Sequence, residues 1–203
     1  LGAEYDAYIE SFNDPWKPGL RVNGLKLSAG ELKELVSWDL TPVPWEPSGF
    51  YYDPGETRPS RHPWYYAGLY YLQEPSAMAP AACLPVVPGD RVLDLCAAPG
   101  GKSTALAAKL KGEGLLVSND ISYSRARALL KNLEMAGASN ICVVSESPEK
   151  LSGPWAGFFD KILVDAPCSG EGMFRRDEEM VKDWMQRGPA YYAPIQRQIL
   201  LEA

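Results

Sequence analysis

From residue 81 onward the chain alternates short unbroken apolar runs with longer stretches of helical period. Arg91-Val92-Leu93-Asp94-Leu95, Leu115-Leu116-Val117-Ser118, Ile141-Cys142-Val143-Val144 and Ile162-Leu163-Val164 each read as a strand. Between them, Lys102 to Lys111 is rich in alanine and leucine, and Ser122 to Ala136 places Ala126, Leu129, Leu130 and Leu133 on one helix face. Strands that are apolar throughout, spaced by helices, predict an α/β fold with a doubly wound parallel sheet covered on both faces. In such a sheet the ligand crevice lies beyond the carboxyl ends of the strands.

The first forty residues have another texture, mixing aromatics with charges. Leu20 to Leu25 is strand-like, and Ser28 to Val36 has a helical pattern in which Ser28 precedes Glu31 by the capping-box spacing. Prolines 42, 44, 47, 54, 59 and 63 then surround the aromatic strand candidate Phe50-Tyr51-Tyr52. Proline supplies no backbone donor, so this stretch predicts loops and edge strands. The expected organisation is a small α+β domain and linker over residues 1–78, followed by the α/β domain over 79–203.

With 203 residues, 46% hydrophobic and 23% charged, the chain has the composition of a globular protein and not of a disordered tail. No apolar run approaches the roughly 18–20 residues of a membrane span, and no export-type start is present, so a soluble, cytoplasmic protein is expected. The first residue is Leu1 and not Met, which suggests a segment of something longer. Cys83, Cys96, Cys142 and Cys168 lie far apart and read as thiols. A single histidine, His62, leaves no common zinc constellation and no Ser-His-Asp triad; before Pro63 it reads as a surface residue, and no metal is expected. The net charge of -6, of which -5 falls in the first 80 residues, excludes a protein that simply coats nucleic acid. Any RNA contact must use a local patch. Lys17, Arg21, Lys26, Arg58 and Arg61 among the early aromatics could form one, as could Arg175, Arg176, Lys182 and Arg187. Core packing and a solvated helix face are the competing readings of these two groups.

The chemistry concentrates in two loops. Cys96-Ala97-Ala98-Pro99-Gly100-Gly101-Lys102 follows the first α/β strand and opens a helix, where backbone N–H groups and the helix dipole favour an anion. It matches neither a dinucleotide fingerprint nor a P-loop; a carboxylate in place of a pyrophosphate would suit it. Asp120, 19 residues beyond Gly101 at the end of the next strand, stands where a carboxylate accepts ribose hydroxyls. Together they point to a nucleoside-type cofactor whose amino-acid end replaces the phosphates, S-adenosylmethionine. The fourth strand runs into Asp165-Ala166-Pro167-Cys168-Ser169-Gly170-Glu171-Gly172. Addition of a thiolate to C6 of a pyrimidine makes C5 nucleophilic, and an acid can meet N3 as charge moves onto the ring.

These loops, with Tyr70-Tyr71-Leu72-Gln73-Glu74-Pro75-Ser76, Leu20-Arg21-Val22-Asn23 and the run from Asp165 through Asp177, resemble the Sun/Fmu-type RNA cytosine-5 methyltransferases. The match is nearest to the bacterial ribosomal RNA small subunit methyltransferase F group. The resemblance implies a class I methyltransferase (Rossmann-like) domain after an RNA-binding domain, and methylation of a cytosine in ribosomal RNA of the small subunit. It implies that Cys96 to Lys102 and Asp120 hold S-adenosylmethionine and that Asp165 lies beside cofactor and target base. Cys168 would help release the methylated product. Two departures accompany it. Where the family often carries an acid near adenine, this chain reads Ser147, with Glu146 a weak substitute. The nucleophilic cysteine belongs to a later Ser-Thr-Cys stretch, which the sequence ending at Ala203 does not reach, so the chain reads as C-terminally truncated, binding cofactor without turnover. Its last strand would expose an apolar edge open to self-association. A DNA cytosine-5 methyltransferase, with Cys168 itself as nucleophile, and a non-catalytic ribosome-assembly factor are the alternatives.

Overall fold

The computed structural model describes residues 2–14, 16–174 and 178–203. In chain order its elements are α1 (Tyr5–Glu10), β1 (Gly19–Val22), α2 (Ala29–Leu35), β2 (Leu40–Val43), β3 (Glu46–Tyr52), α3 (Pro63–Tyr66), β4 (Tyr70–Leu72), α4 (Ala79–Cys83), β5 (Arg91–Asp94), α5 (Gly101–Leu110), β6 (Leu115–Asn119), α6 (Tyr123–Ala136), β7 (Ile141–Val144), α7 (Pro148–Ser152), β8 (Lys161–Leu163) and α8 (Glu178–Glu202). Two compact units emerge: Pro18–Ala166 with Gln198–Ala203, and the residues up to Lys17 with Pro167–Arg197.

The larger unit holds two four-stranded sheets. In the first, antiparallel and ordered β2-β3-β1-β4, Leu20, Val22, Leu32, Phe50 and Tyr70 form the core. The expected capping box starts α2: Ser28 Oγ accepts from the Glu31 N–H at 3.2 Å, and Glu31 Oε2 accepts from the Ser28 N–H at 2.7 Å. The proline-rich stretch departs from expectation, because β3 lies inside the sheet between β2 and β1. Pro47 is tolerated there since β1 pairs only with Gly49, Phe50 and Tyr51, and Pro42 sits on edge strand β2 beside a register shift. His62 is no bare surface residue either. It caps α3, its Nδ1 accepting from the Trp64 N–H, and its ring meets Trp38 and Trp64 edge-on.

The second sheet is wholly parallel with order β7-β6-β5-β8. Counted within this sheet the order is third, second, first, fourth, so the chain reverses direction between β5 and β8 and opens a crevice at their carboxyl ends. Alternation along each strand divides the core. Val92, Leu116 and Leu163 face Leu106, Leu110, Leu129 and Leu133 of α5 and α6. Leu93, Val117 and Ile162 face the other way, toward Leu151, Trp155, Phe159 and Ile199. The doubly wound α/β expectation therefore holds. One detail of α6 differs: Ala126, Leu129, Leu133 and Ala136 are buried while Leu130 is 38% exposed, being a turn-step off the buried stripe. Among the described residues no helix is long and apolar enough to cross a membrane.

Candidate functional site

Each wall of the crevice is built from a strand end. After β5 the chain is pinned at once: the Leu95 N–H donates to Leu163 O (3.0 Å) and the Ala97 N–H to Asn119 O (2.8 Å). Asn119, 1% exposed, staples the strand ends together. Its Nδ2 donates to Leu95 O and Glu146 O, both at 3.0 Å, while its Oδ1 accepts from the Glu146 N–H. Ala97, Ala98 and Gly100 are buried, and Gly100 takes φ +111°, a left-handed conformation that glycine adopts without strain. A Cβ at Gly100 would stand 3.0 Å from Leu129 Cδ1, and one at Gly101 3.1 Å from Gln73 Nε2 and 3.2 Å from Tyr71 Cε1. The protein's own packing thus accounts for both glycines.

Helix α5 starts at this glycine pair with no side chain of the cap residue bonded to it, which leaves its first-turn N–H groups without an acceptor from that residue. Beneath the turn a buried hydroxyl chain runs from Ser118 Oγ to Ser103 Oγ (2.9 Å) and on to Asp94 Oδ2 (2.7 Å). Asp94 is fully buried and its Oδ1 has no partner among the described residues. Burial pushes its carboxyl up to about 6, against the opposing Ser103 hydrogen bond and Lys102 charge.

Asp120, 3% exposed, leaves the end of β6. Its Oδ1 accepts from the Ser122 N–H at 3.0 Å and its Oδ2 pairs with Arg125 at 3.3 Å, whose Nη2 also donates to Ala98 O. Asp165, past the end of β8, is half exposed and pairs at 2.5 Å with the mostly buried Lys102. The structure thus brings Cys96 to Lys102, Asp120 and Asp165 into one neighbourhood. Cys96 reports its sign: burial, then the charges of Asp94, Asp120 and Asp165, push its thiol up to about 11, so it stays protonated. A crevice with uncapped N–H donors and this many carboxylates suits a zwitterion that also carries a second cation, and disfavours a polyphosphate.

Cys168 belongs to the smaller unit, where it is exposed. Next to it Glu171 is an anchor that the residue pattern did not single out: its Oε1 accepts from Ser169 Oγ at 2.6 Å and from the Trp184 indole N–H at 2.8 Å. The Ser169 bond leads in holding the Glu171 carboxyl below its ordinary value. Of the second basic group, Arg175 and Arg176 lie outside the described residues, as does Asp177; Lys182 is exposed, and Arg187 pairs with Asp183 at 3.2 Å. The early basic group is corrected in part. Arg21 is 4% exposed, and the Lys26 ammonium donates to the carbonyls of Ala67 and Met135, so neither is free to hold phosphate. Among the early aromatics, Trp38, Trp64, Tyr65 and Tyr70 pack in the antiparallel sheet's own core, while Tyr66 is exposed.

A family profile for 16S rRNA methyltransferase RsmB/F matches residues 81–203. The chain belongs to the RsmB/F family of 16S rRNA methyltransferases. A second profile, for the N-terminal domain of 16S rRNA methyltransferase RsmF, matches residues 1–75 of this RsmB/F chain. Ribosomal RNA small subunit methyltransferase F of Escherichia coli (strain SMS-3-5 / SECEC) is 35% identical over 97% of the chain and 43% of its own length. The protein of the same name from Enterobacter sp. (strain 638) is also 35% identical, over 97% of the chain and 42% of its own length. The RsmB/F chain therefore spans less than half the length of these curated relatives. Among solved structures, a methyltransferase homolog protein from Pyrococcus horikoshii covers the whole chain with a TM-score of 0.80 at 31% identity, the match taking in 64% of that protein. NSun6 from Pyrococcus horikoshii, solved with SFG, covers 97% of the chain and shares its fold, with a TM-score of 0.70 at 21% identity over 77% of its own length.

The RsmB/F family is one of S-adenosylmethionine-dependent methyltransferases. The residues present fit that donor: the uncapped start of α5 offers N–H groups to a carboxylate, and the surrounding acids suit its ammonium and sulfonium. The Asn119 staple is the supporting residue that motif reading passed over, while Asp94 and Arg21, which it named in other roles, are buried supports of the same turn.

Proposed function

We propose that the protein carrying this chain transfers a methyl group from S-adenosylmethionine to C5 of a cytosine in small-subunit ribosomal RNA. In this reading Cys96, Ala97, Ala98, Pro99, Gly100, Gly101 and Lys102 hold the amino-acid end of the donor and Asp120 accepts its ribose hydroxyls. Bound donor supplies an electrophilic methyl group. Asp165 then lies beside donor and base, meeting N3 of the cytosine as charge moves onto the ring. Lys102, paired with Asp165 at 2.5 Å, aims that carboxyl group. Cys168 acts after methyl transfer, helping the C5 proton and the covalent thiol leave the base, while the attacking cysteine comes from a stretch outside these 203 residues. The N-terminal segment, residues 1–78, contributes to RNA docking, and the chain by itself holds donor without turnover.

One observation carries the reading: an uncapped, glycine-started helix at the switch point of a parallel sheet, with the buried Asp120 one strand over. Titration of the 203-residue chain with S-adenosylhomocysteine tests it. Saturable uptake is expected, weakened at least about tenfold in Asp120→Ala. No uptake, or equal affinity in the variant, rejects the donor site. For the chemistry, Cys168→Ala in the full-length relative-sized protein should accumulate a covalent protein–RNA adduct on small-subunit RNA. Loss of adduct would instead assign Cys168 the attacking role of a DNA-type enzyme, and RNA binding without any methyl transfer would leave an assembly factor.

A further inference from the structure

We propose that Arg21, on the N-terminal sheet, is a positioning residue for the donor loop: it fixes the first turn of α5 and so aims the N–H groups and Lys102 that face the ligand. The inference rests on the reading that the donor lies in that turn. Arg21 leaves β1 with its guanidinium buried, and its Nη1 donates at 2.6 Å to both Gln73 Oε1 and Gly101 O. Its Nη2 donates at 2.6 Å to Thr104 Oγ1, which in turn donates to Gly100 O at 2.9 Å. One side chain therefore touches both ends of the first turn, at Gly101 and at Thr104, and reaches Gly100 through the Thr104 hydroxyl.

A buried cation that made only neutral hydrogen bonds would be a poor choice if filling space were its task, because desolvating a charge is costly and a methionine would fill the volume. Among the described residues no carboxylate forms an ion pair with Arg21, and the buried Glu46 offsets its desolvation only by attraction at longer range. Burial lowers its pKa to about 10, which still leaves it charged near neutrality. What the guanidinium offers is a rigid planar fork that fixes several acceptors relative to one another.

A second observation points the same way. Gly101 does not have a left-handed φ; its missing side chain is what admits Gln73 and Tyr71 of the N-terminal sheet to within about 3 Å of where a Cβ would be. The turn after β1 grips the neighbouring helix as well. Asn23 Nδ2 donates at 2.7 Å to Ala136 O and Lys26 Nζ at 2.7 Å to Met135 O, both at the end of α6. Leu129 of the same helix closes on Gly100 from the other side. The partly open cleft of about 10 Å³ beside this contact has room for about one water.

The test compares Arg21→Met and Arg21→Lys with the unaltered chain by amide exchange and by S-adenosylhomocysteine titration. In Arg21→Met the Thr104 amide, bonded to Gly100 O at 2.9 Å, should exchange about tenfold faster or more, while the Leu116 amide on β6 keeps its protection. Affinity should fall about tenfold or more, with partial recovery in Arg21→Lys and with guanidinium ion added to Arg21→Ala. Unchanged Thr104 protection overturns the inference, as does equal loosening of Leu116, which would mark a merely structural residue. Should Arg21→Met fail to fold, Gly101→Ala pushes Gln73 from the turn and must show the same local loosening; protection unaffected there also overturns it. If the unaltered chain takes up no S-adenosylhomocysteine, the donor reading fails, and Thr104 exchange still decides whether Arg21 holds the turn.

Discussion

The loops that leave β5 and β8 begin on adjacent parallel strands, yet the protein treats them differently. After β5 the backbone is stapled by Asn119, gripped by Arg21 and closed over by Leu129, and Ala97, Ala98 and Gly100 are buried. After β8, Asp165 is half exposed and, among the described residues, its side chain has a single partner, Lys102. The difference separates two kinds of functional residue. A loop that offers backbone N–H groups must have its main chain fixed, and only packing can fix it. A carboxylate that meets a substrate must keep an open face, so one charged neighbour orients it and the rest is left to solvent.

If the contrast is right, the largest effect falls on the buried loop. Gly100→Val forces a β-branched residue to φ +111° and sets a Cβ 3.0 Å from Leu129 Cδ1. Together, strain and overpacking should cost about 3 kcal/mol, lowering the thermal midpoint by roughly 6–12 °C. A midpoint unchanged by this substitution would mean the turn is not held as described.

The next effect is a pH dependence set by Asp94. Its folded carboxyl, at about 6, titrates above its ordinary value of 3.8, chiefly through burial. Between these values the unfolded chain releases the proton first, so this group makes stability fall as pH rises through the window and adds no further slope above it. Asp94→Asn should remove that slope and gain on the order of 2 kcal/mol relative to the unaltered chain above pH 6. Parallel denaturant titrations at pH 4 and pH 7 measure it; equal differences at both pH values would show that Asp94 is ionised at no cost.

How much of this could be read beforehand follows from the same physics. The parallel sheet was legible because strands buried on both faces leave unbroken apolar runs, and the donor loop because glycines at a strand-to-helix junction have few other uses. The antiparallel sheet was less so. β4 is three residues of aromatic and leucine, and β3 was placed at an edge by its prolines although β1 pairs only past Pro47. Arg21 and Lys26 read as surface cations, since nothing local says that a basic side chain will end against a helix one sheet away. Asn119 was invisible for the same reason: its side-chain partners, Leu95 and Glu146, lie 24 and 27 residues off in the chain.

Asn119→Ala is accordingly the third test. It strips Leu95 O and both backbone groups of Glu146 of a buried partner, and should cost about 1–2 kcal/mol with the sheet intact. A loss below about 0.5 kcal/mol would assign the stapling to the backbone ladder alone, as the Ala97 N–H to Asn119 O bond at 2.8 Å survives the change.

The smallest effect should come from Asp165→Asn. With 49% of its side chain exposed, Asp165 contributes to stability through an ion pair that water screens, and an amide retains a hydrogen-bonding oxygen for Lys102. Thermal and denaturant midpoints should stay within about 0.5 kcal/mol of the unaltered chain. Function should respond oppositely: in the full-length protein the same substitution should abolish methyl transfer, because an amide cannot pass a proton to N3 as charge moves onto the ring. Stability lost to the degree seen with Gly100→Val would erase the contrast between the two loops. Activity retained by Asp165→Asn would break it from the other side, leaving the open carboxylate without a task at the base.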